Sequence, residues 1–441
     1  MVKVKSFKGG VHPEYNKHIT GDKPIKVLPA PKEVIIPLSQ HAGSPAEPLV
    51  KKGDSVLLGQ EIGRSTAAIS AAVHASVSGT VVNVEPRPSI NGRDVLSVVI
   101  ENDGQDNRAP MNGHPDPIQL PSAEIRQRIE SAGIVGLGGA AFPTAAKLNP
   151  PQDCKIEYLL INGSECEPYL TADQKLMEEY TEDVILGTKL LAKACGAEKI
   201  IICIEANKPE ALRKMRALAG SNAIQVVALG VKYPAGGEKQ LIKAVLNREV
   251  PSHGLPAQCG VLVQNVGTAW AAAKACKHGQ PLIERVVTVT GDGIKEPANY
   301  LVRIGTPFKD VITAAGGFVG EPGKVLAGGP MMGLAQYDLS VPVVKGVSGI
   351  LVLSKQVTKD FDPMPCIKCA RCVDVCPVYL MPVTIEKFAM NAMWNEAEDY
   401  GAMDCIECGS CTYICPSKRA LLTWIRLAKT EIAEAHRRQT S

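Results

Sequence analysis

Cys366-Ile367-Lys368-Cys369-Ala370-Arg371-Cys372-Val373-Asp374-Val375-Cys376-Pro377 and Cys405-Ile406-Glu407-Cys408-Gly409-Ser410-Cys411-Thr412-Tyr413-Ile414-Cys415-Pro416 are the stretches on which the reading of this chain turns. Each has the form Cys-x2-Cys-x2-Cys-x3-Cys-Pro, a spacing known for cysteines that hold [4Fe–4S] clusters. Three thiolates two residues apart wrap one face of a four-iron cube, and a fourth closes it. Two zinc sites would need only four ligands each in paired Cys-x2-Cys spacing, so the third step argues against zinc. Disulfide scaffolds suit small secreted chains, and this chain has 441 residues. The C-terminal region is therefore expected to move electrons one at a time.

Outside these blocks, the length allows three or four domains, and 45% hydrophobic residues can fill several cores. Forty glycines and 32 prolines beside only 4% aromatics favour compact α/β and β domains with tight turns. A net charge of +3 gives no reason to expect a nucleic-acid partner. Met1–Gly10 is polar and lacks the apolar core of a signal peptide. No stretch approaches the roughly 18 consecutive apolar residues of a membrane span. The remaining cysteines, Cys154, Cys166, Cys195, Cys203, Cys259 and Cys276, are scattered, and most of them read as small buried hydrophobes in a reducing compartment. A cytoplasmic location follows, with membrane association only at the periphery or through partners.

Residues 1–101 read as all-β, with short strands at Val34–Pro37, Ser55–Leu58, Gly79–Val84 and Leu96–Ile100. The polar stretch Asn102–Pro121 reads as a linker. From 122 to 283, strands at Tyr158–Ile161, Ile200–Ile204 and Gln225–Leu229 alternate with helices at Ser122–Ser131, Pro209–Ala219, Lys239–Leu246 and Thr268–Lys277. That alternation predicts a parallel sheet covered on both faces, and Ser122 is expected to cap its helix. Arg285–Thr290 opens a β-rich unit over 284–355, with a turn at Thr290-Gly291-Asp292-Gly293. The cluster region spans 360–441, with one helix over Thr384–Trp394 and an amphipathic helix from Ala420 to about Arg437. That last helix, with Trp424, Ile425 and Leu427 beside Arg426 and Lys429, reads either as a docking surface or as a cover over the clusters.

Four segments of the α/β region carry ligand chemistry. Gly133-Ile134-Val135-Gly136-Leu137-Gly138-Gly139-Ala140-Ala141-Phe142-Pro143-Thr144-Ala145-Ala146-Lys147 lets backbone N–H groups approach a phosphate that Lys147 can neutralise. It is not a Gly-x-Gly-x-x-Gly following a strand, so it is no Rossmann fingerprint. Asn162-Gly163-Ser164-Glu165-Cys166-Glu167-Pro168 follows a strand, where α/β folds place ligands. Tyr233-Pro234-Ala235-Gly236-Gly237-Glu238 precedes a helix, and Gln264-Asn265-Val266-Gly267-Thr268 follows another strand. Singly, these read as turns and caps; four in order are much harder to explain that way.

The four segments resemble those of the FMN/NADH-binding flavoprotein subunit of respiratory complex I. The resemblance implies that Gly136, Gly138, Gly139 and Lys147 hold the FMN phosphate and that Phe142 stacks on the nucleotide. It implies further cofactor contacts from Asn162, Ser164, Glu165, Gly236, Asn265 and Thr268, and places Glu238 near nicotinamide. Glu238, Glu165 and Glu167 would shape the flavin and nicotinamide environment electrostatically. The chain departs from that pattern at Leu137, Ser164, Gly237 and Pro150, where the family has an arginine, an aspartate, a glutamate and an aromatic. The two cysteine blocks resemble bacterial two-cluster ferredoxins, in which the fourth cysteine of each block serves the other cluster. That implies Cys366, Cys369, Cys372 and Cys415 for one cluster, and Cys405, Cys408, Cys411 and Cys376 for the second.

Two more modules complete the order. Val50–Val56 and Val73–Val81 resemble the halves of a biotinyl/lipoyl barrel-sandwich hybrid, with Ala71, Ala72 and Val73 where the modified lysine would stand. Residues 284–355 resemble the β-grasp soluble-ligand-binding (SLBB) domain that follows the flavin domain in the complex I family. Over essentially its whole length the chain is similar to the C subunits of Rnf electron-transport complexes. The resemblance implies a multidomain α/β and β fold and an NAD-dependent oxidoreductase subunit. It implies FMN, NAD(H) and two [4Fe–4S] clusters as cofactors. Its partners would be the other subunits of a membrane complex that links ferredoxin to NAD and drives Na+ or H+ transport. The chain would sit peripherally on the cytoplasmic face. A soluble cobalamin reductase built of similar modules and a non-catalytic electron-wiring subunit are the competing readings.

Overall fold

Four aliphatic runs, Tyr158–Gly163, Lys199–Glu205, Ile224–Leu229 and Val261–Asn265, lie side by side in one sheet. In the computed structural model, which describes residues 4–151, 153–220, 224–358 and 361–440, all their pairings are parallel. Both faces are buried, so the strands read as continuous hydrophobic runs. Leu159, Ile161, Ile202, Ile204 and Leu262 face a helical layer that includes Thr181–Cys195 and Val266–His278. Leu160, Ile201, Cys203, Val261 and Val263 face helix Glu238–Leu246. Helices Thr181–Cys195 and Val266–His278 touch at Gly187, where a Cβ would stand 1.7 Å from the Ala269 carbonyl oxygen. The third, second and first strands run outward in that order, and the fourth lies on the free side of the first. The order therefore reverses between Tyr158–Gly163 and Val261–Asn265, and such a reversal opens a crevice at the C-terminal strand ends.

The N-terminal barrel pairs a four-stranded sheet (Glu33–Pro37, Asp94–Asn102, Gly79–Pro88, Ser55–Val56) with a three-stranded one (Glu47–Pro48, Glu61–Arg64, Val73–His74). Val34, Ile36, Ile62, Val73, Val81, Val98 and Ile100 fill the space between them. Ala71 and Ala72 are buried. The Lys345 ammonium, from the β-rich unit, donates to the carbonyls of Ala72 and Gly133, both at 2.7 Å. The barrel tip is thus fastened to two neighbours and is no swinging arm.

Several expectations need correction. Ile25–Val27 leaves the barrel and pairs in parallel with Ala298–Arg303, at the edge of the β-rich sheet. Val11 exchanges backbone hydrogen bonds with Tyr233 in the flavin domain. The described residues before the barrel therefore serve the other domains. Ser122 is not a cap: Pro121 holds that position, and the Ser122 hydroxyl donates to the Lys193 carbonyl at 2.8 Å. The helix expected over Thr384–Trp394 is two, Pro382–Met390 and Trp394–Asp399. The left-handed Ala392 (φ 54°) breaks the run. The expected start of the cluster region, residue 360, lies outside the described residues.

The cluster region is an internal repeat. Lys368, Ala370 and Tyr379 are left-handed, and so are their counterparts Glu407, Gly409 and Lys418 in the second block. The terminal helix Leu421–Thr440 covers this region, burying Leu421, Ile425, Ala428 and Ile432. Arg426 and Lys429 pair with Glu407 at 2.9 and 2.6 Å. Of its two readings, the cover is the one seen. Among the described residues no helix is long and apolar enough to cross a membrane.

Candidate functional site

The crevice at the strand reversal brings all four ligand-bearing segments together. Asn162 and Asn265 end adjacent strands and lie in register. Asn265 caps helix Val266–His278, its Oδ1 accepting from Gly267 N at 2.7 Å, while its Nδ2 donates to Asp173 at 2.7 Å. Above it runs the glycine segment. A Cβ on Gly138 would stand 2.7 Å from Asn265 Nδ2 and crowd that side chain, whereas Gly139 is open. The segment is pinned by Leu137 N donating to Thr268 Oγ1 at 3.0 Å. Thr268 is fully buried, so its task is to hold the loop that would hold the phosphate. Asn162 Nδ2 donates to the Gly236 carbonyl at 2.9 Å, tying the third segment to the second. Lys147 Nζ lies 2.6 Å from Glu238 Oε1, both side chains partly exposed, and Phe142 is 38% exposed.

The other two acids do different work. Glu165 accepts from Asp173 N and Gln174 N, at 2.7 and 3.1 Å, and so caps helix Ala172–Glu179. Glu167 accepts from Met331 N and Met332 N, at 3.1 and 2.8 Å, on a loop of the β-rich unit. Both carboxylates are thus engaged by backbone amides, whereas Glu238 pairs with Lys147. Burial outweighs the two N–H bonds and pushes the Glu167 carboxyl up to about 7. Its folded value is thus above its ordinary one, so between about pH 4.5 and 7 the fold keeps a proton that the unfolded chain releases. Stability from this group is full below that window and is lost as pH rises through it. Glu167→Gln should flatten this fall, seen as a smaller loss in denaturant midpoint from pH 5 to 7.5, with Met331 and Met332 amide exchange as the probe.

Sequence reasoning missed three site residues. Lys17 Nζ donates to the carbonyls of Glu165, Glu167 and Leu170 at 2.6–2.9 Å. Burial, and then nearby Lys208, lower its ammonium to about 8. Asp173 backs Asn265; burial and the charge of Glu165 raise its carboxyl to about 7. Tyr233 OH donates to the Cys408 carbonyl at 2.8 Å and joins the flavin domain to the second cysteine block.

The cysteines sort into two cavities. One is lined by Cys366, Cys369, Cys372 and Cys415, the other by Cys376, Cys405, Cys408 and Cys411. The fourth cysteine of each block thus stands with the other block's three, the donor set a cube requires. Backbone N–H groups of Lys368, Leu380 and Glu407 point at Cys366, Cys376 and Cys405 Sγ, at 3.3–3.4 Å, a contact that stabilises thiolate charge. The crevice also suits a polar cofactor. Ser164 Oγ and Gln264 Nε2 are buried near the strand ends with no partner in the protein.

Family models match in a fixed order: an RnfC barrel sandwich hybrid domain at 5–105, a Nuo51 FMN-binding domain at 129–274, an SLBB domain at 286–335 and a 4Fe-4S dicluster domain at 358–416. These support FMN and [4Fe–4S] clusters as the groups the two sites hold. The chain is 49% identical, over 99% of both chains, to the C subunit of the Na(+)-translocating ferredoxin:NAD(+) oxidoreductase complex of Acetobacterium woodii. It is 46% identical to the proton-translocating counterpart of Clostridium ljungdahlii, over 99% of this chain and 96% of that one. It is 44% identical to the C subunit of the ion-translocating oxidoreductase complex of Rhodobacter capsulatus, over 88% of this chain and 74% of that one. A chain of an NAD+-reducing [NiFe]-hydrogenase shares the fold, with a TM-score of 0.51 at 20% identity, covering 72% of this chain and 64% of that one. This chain belongs to the RnfC family, the C subunits of ion-translocating oxidoreductase complexes.

Proposed function

We propose that this chain is the NAD(H)-reacting subunit of a membrane-bound ferredoxin:NAD oxidoreductase coupled to Na+ or H+ transport, and that it sits peripherally on the cytoplasmic face. FMN held in the crevice would supply the chemistry that links electron pairs at nicotinamide to single electrons at a cluster. The supporting observation is the direct bonding of the flavin domain to the second-block cluster site. Tyr233 OH reaches the Cys408 carbonyl, and Gln240 Nε2 donates to the Pro377 carbonyl at 3.3 Å, next to Cys376.

The side chains divide the work. Lys147 and the amides of the Gly136–Gly139 run would hold phosphate. Asn162, Ser164, Gly236 and Asn265 would meet the ring system, with Asp173 and Thr268 fixing Asn265 and the glycine run. Phe142 would stack on the nucleotide. Glu238 would set the charge near nicotinamide and hold Lys147 while phosphate is away. Glu165 and Glu167 would act by positioning the loop that follows strand Tyr158–Gly163, and none of the three acids needs to move a proton. The preference for NAD over NADP rests on the family alone.

The test is anaerobic purification, iron and flavin analysis, and then addition of NADH. Bleaching of flavin and clusters is expected; neither flavin retention nor NADH reduction would leave only a wiring role. Lys147→Ala should weaken FMN by about 1.5–3 kcal/mol, roughly 10- to 150-fold in Kd, as for a lost charge-assisted hydrogen bond. Glu238→Ala should keep FMN bound, because it frees Lys147, while slowing reduction by NADH in stopped-flow traces.

A further inference from the structure

The two cluster sites are exposed very differently. Cys376, Cys408 and Cys411 are buried, and their cavity closes to about 20 Å³. Cys366 and Cys369 are exposed, and theirs opens into a void of about 620 Å³. The second site is sealed by its own chain through Tyr233, Gln240 and the N-terminal segment, where Gly10 N donates to the Val375 carbonyl at 2.8 Å. The first-block site is the one that an outside molecule can approach.

Its rim has a defined chemistry. Ile367, Met381 and Met390 line the void and are 67, 47 and 49% exposed, with Met364 at 54% nearby. Exposed apolar patches mark interaction sites, and methionines adapt to a partner surface. The charged lining is Lys368, Lys387, Arg419 and Glu386. Glu386 is buried and paired with Arg419 at 2.9 Å, so the two cancel. That leaves Lys368 and Lys387 exposed with no second carboxylate in the lining to face them, and Arg371 and Lys418 add exposed positive charge nearby. Asp362 and Asp374 are also exposed in this region but do not line the void.

We infer that this face docks an iron–sulfur protein or domain with an acidic rim around its own cluster. An apolar centre with a positive surround fits a partner with an apolar centre and a negative one, and such complementarity acts mainly on the association rate. The inference rests on the proposed electron path.

The experiment uses the whole chain with flavin and both clusters in place. Cluster bleaching is followed after mixing with a reduced acidic two-[4Fe–4S] ferredoxin, with methyl viologen radical cation, or with NADH. The variant is Lys387→Glu with Lys418→Glu, both exposed on this face. With ferredoxin at low salt the second-order rate constant should fall by about tenfold or more, within the range electrostatic steering gives. The loss should shrink as salt rises, while the NADH rate and iron content stay unchanged. An unchanged ferredoxin rate, or equal losses with ferredoxin and viologen, would overturn the inference, because the lysines would then act on the cluster itself or not at all. Failure of NADH to reduce even the unmodified chain would count against the proposed function and leave the ferredoxin comparison readable.

Discussion

Cys376→Ala should abolish the cluster of the second block and leave that of the first. Cys376 lies in the first block by sequence, yet it lines a cavity with Cys405, Cys408 and Cys411. The second-block cube would lose one of four thiolates in a buried site, where no exposed side chain can replace it. Iron should fall from about eight per chain to about four, by the two-cube count. Electron flow should change in a way that total iron cannot report. The site that would lose its cluster is the one whose Cys408 and Pro377 carbonyls accept hydrogen bonds from Tyr233 and Gln240 of the flavin domain. NADH should still bleach the flavin, and the surviving first-block cluster should stay oxidised on that timescale. Cys415→Ala is the mirror case, because Cys415 stands with Cys366, Cys369 and Cys372. There the flavin and second-block cluster should both bleach, and only the exposed centre is lost. Electron paramagnetic resonance of the two variants after NADH decides the matter. A Cys376→Ala protein that keeps the second-block signal and loses the first would show that each block closes its own cube.

What could be read in advance depended on how local the chemistry is. The cysteine blocks are legible because their spacing is the ligand geometry. The parallel sheet is legible because strands buried on both faces must be continuous aliphatic runs, as Ile200–Ile204 is. The crevice residues are legible as four short segments, each beside a strand end or helix start. Partnerships across long stretches of chain were not. Glu165 and Glu167 look alike in sequence, yet one caps the next helix and the other reaches amides at 331 and 332. Ile25–Val27 has three residues, none fully buried, and so shows no periodicity that would mark it as a strand. The apolar run through Thr384–Trp394 suits a helix at every position except the left-handed turn at Ala392. Lys17 is a lone lysine in a polar N-terminal stretch, and nothing around it in sequence hints at three carbonyls from residues 165–170.

Lys17 carries the second large expected effect, and it lies outside every cofactor-bearing motif. An ammonium has three hydrogens, and all three are used, on the carbonyls of Glu165, Glu167 and Leu170 at 2.7, 2.9 and 2.6 Å. Those carbonyls belong to the loop after strand Tyr158–Gly163, in which Glu165 and Tyr169 are held left-handed, at φ 50° and 68°. Such backbone conformations cost energy in residues other than glycine and persist only where neighbours enforce them. The loop orders Asp173 through the Glu165 cap, and Asp173 orders Asn265. Removing the ammonium should therefore reach the flavin crevice through this relay. Lys17→Met keeps the apolar stem of the side chain as far as Cε and deletes every donor. Leaving buried carbonyls unpaired should cost about 2–4 kcal/mol in local stability, given about 1–3 kcal/mol per unsatisfied group and water access to some of them. The expected signature is faster amide exchange over residues 163–174, FMN affinity reduced by about tenfold or more, and full iron content, since no cluster ligand is touched. Lys17→Arg separates charge from geometry: its planar fork cannot reproduce three convergent bonds, so it should recover only part of the loss. Unchanged FMN affinity in Lys17→Met would show that the loop holds its shape without the lysine, and the relay to Asn265 would fall with it.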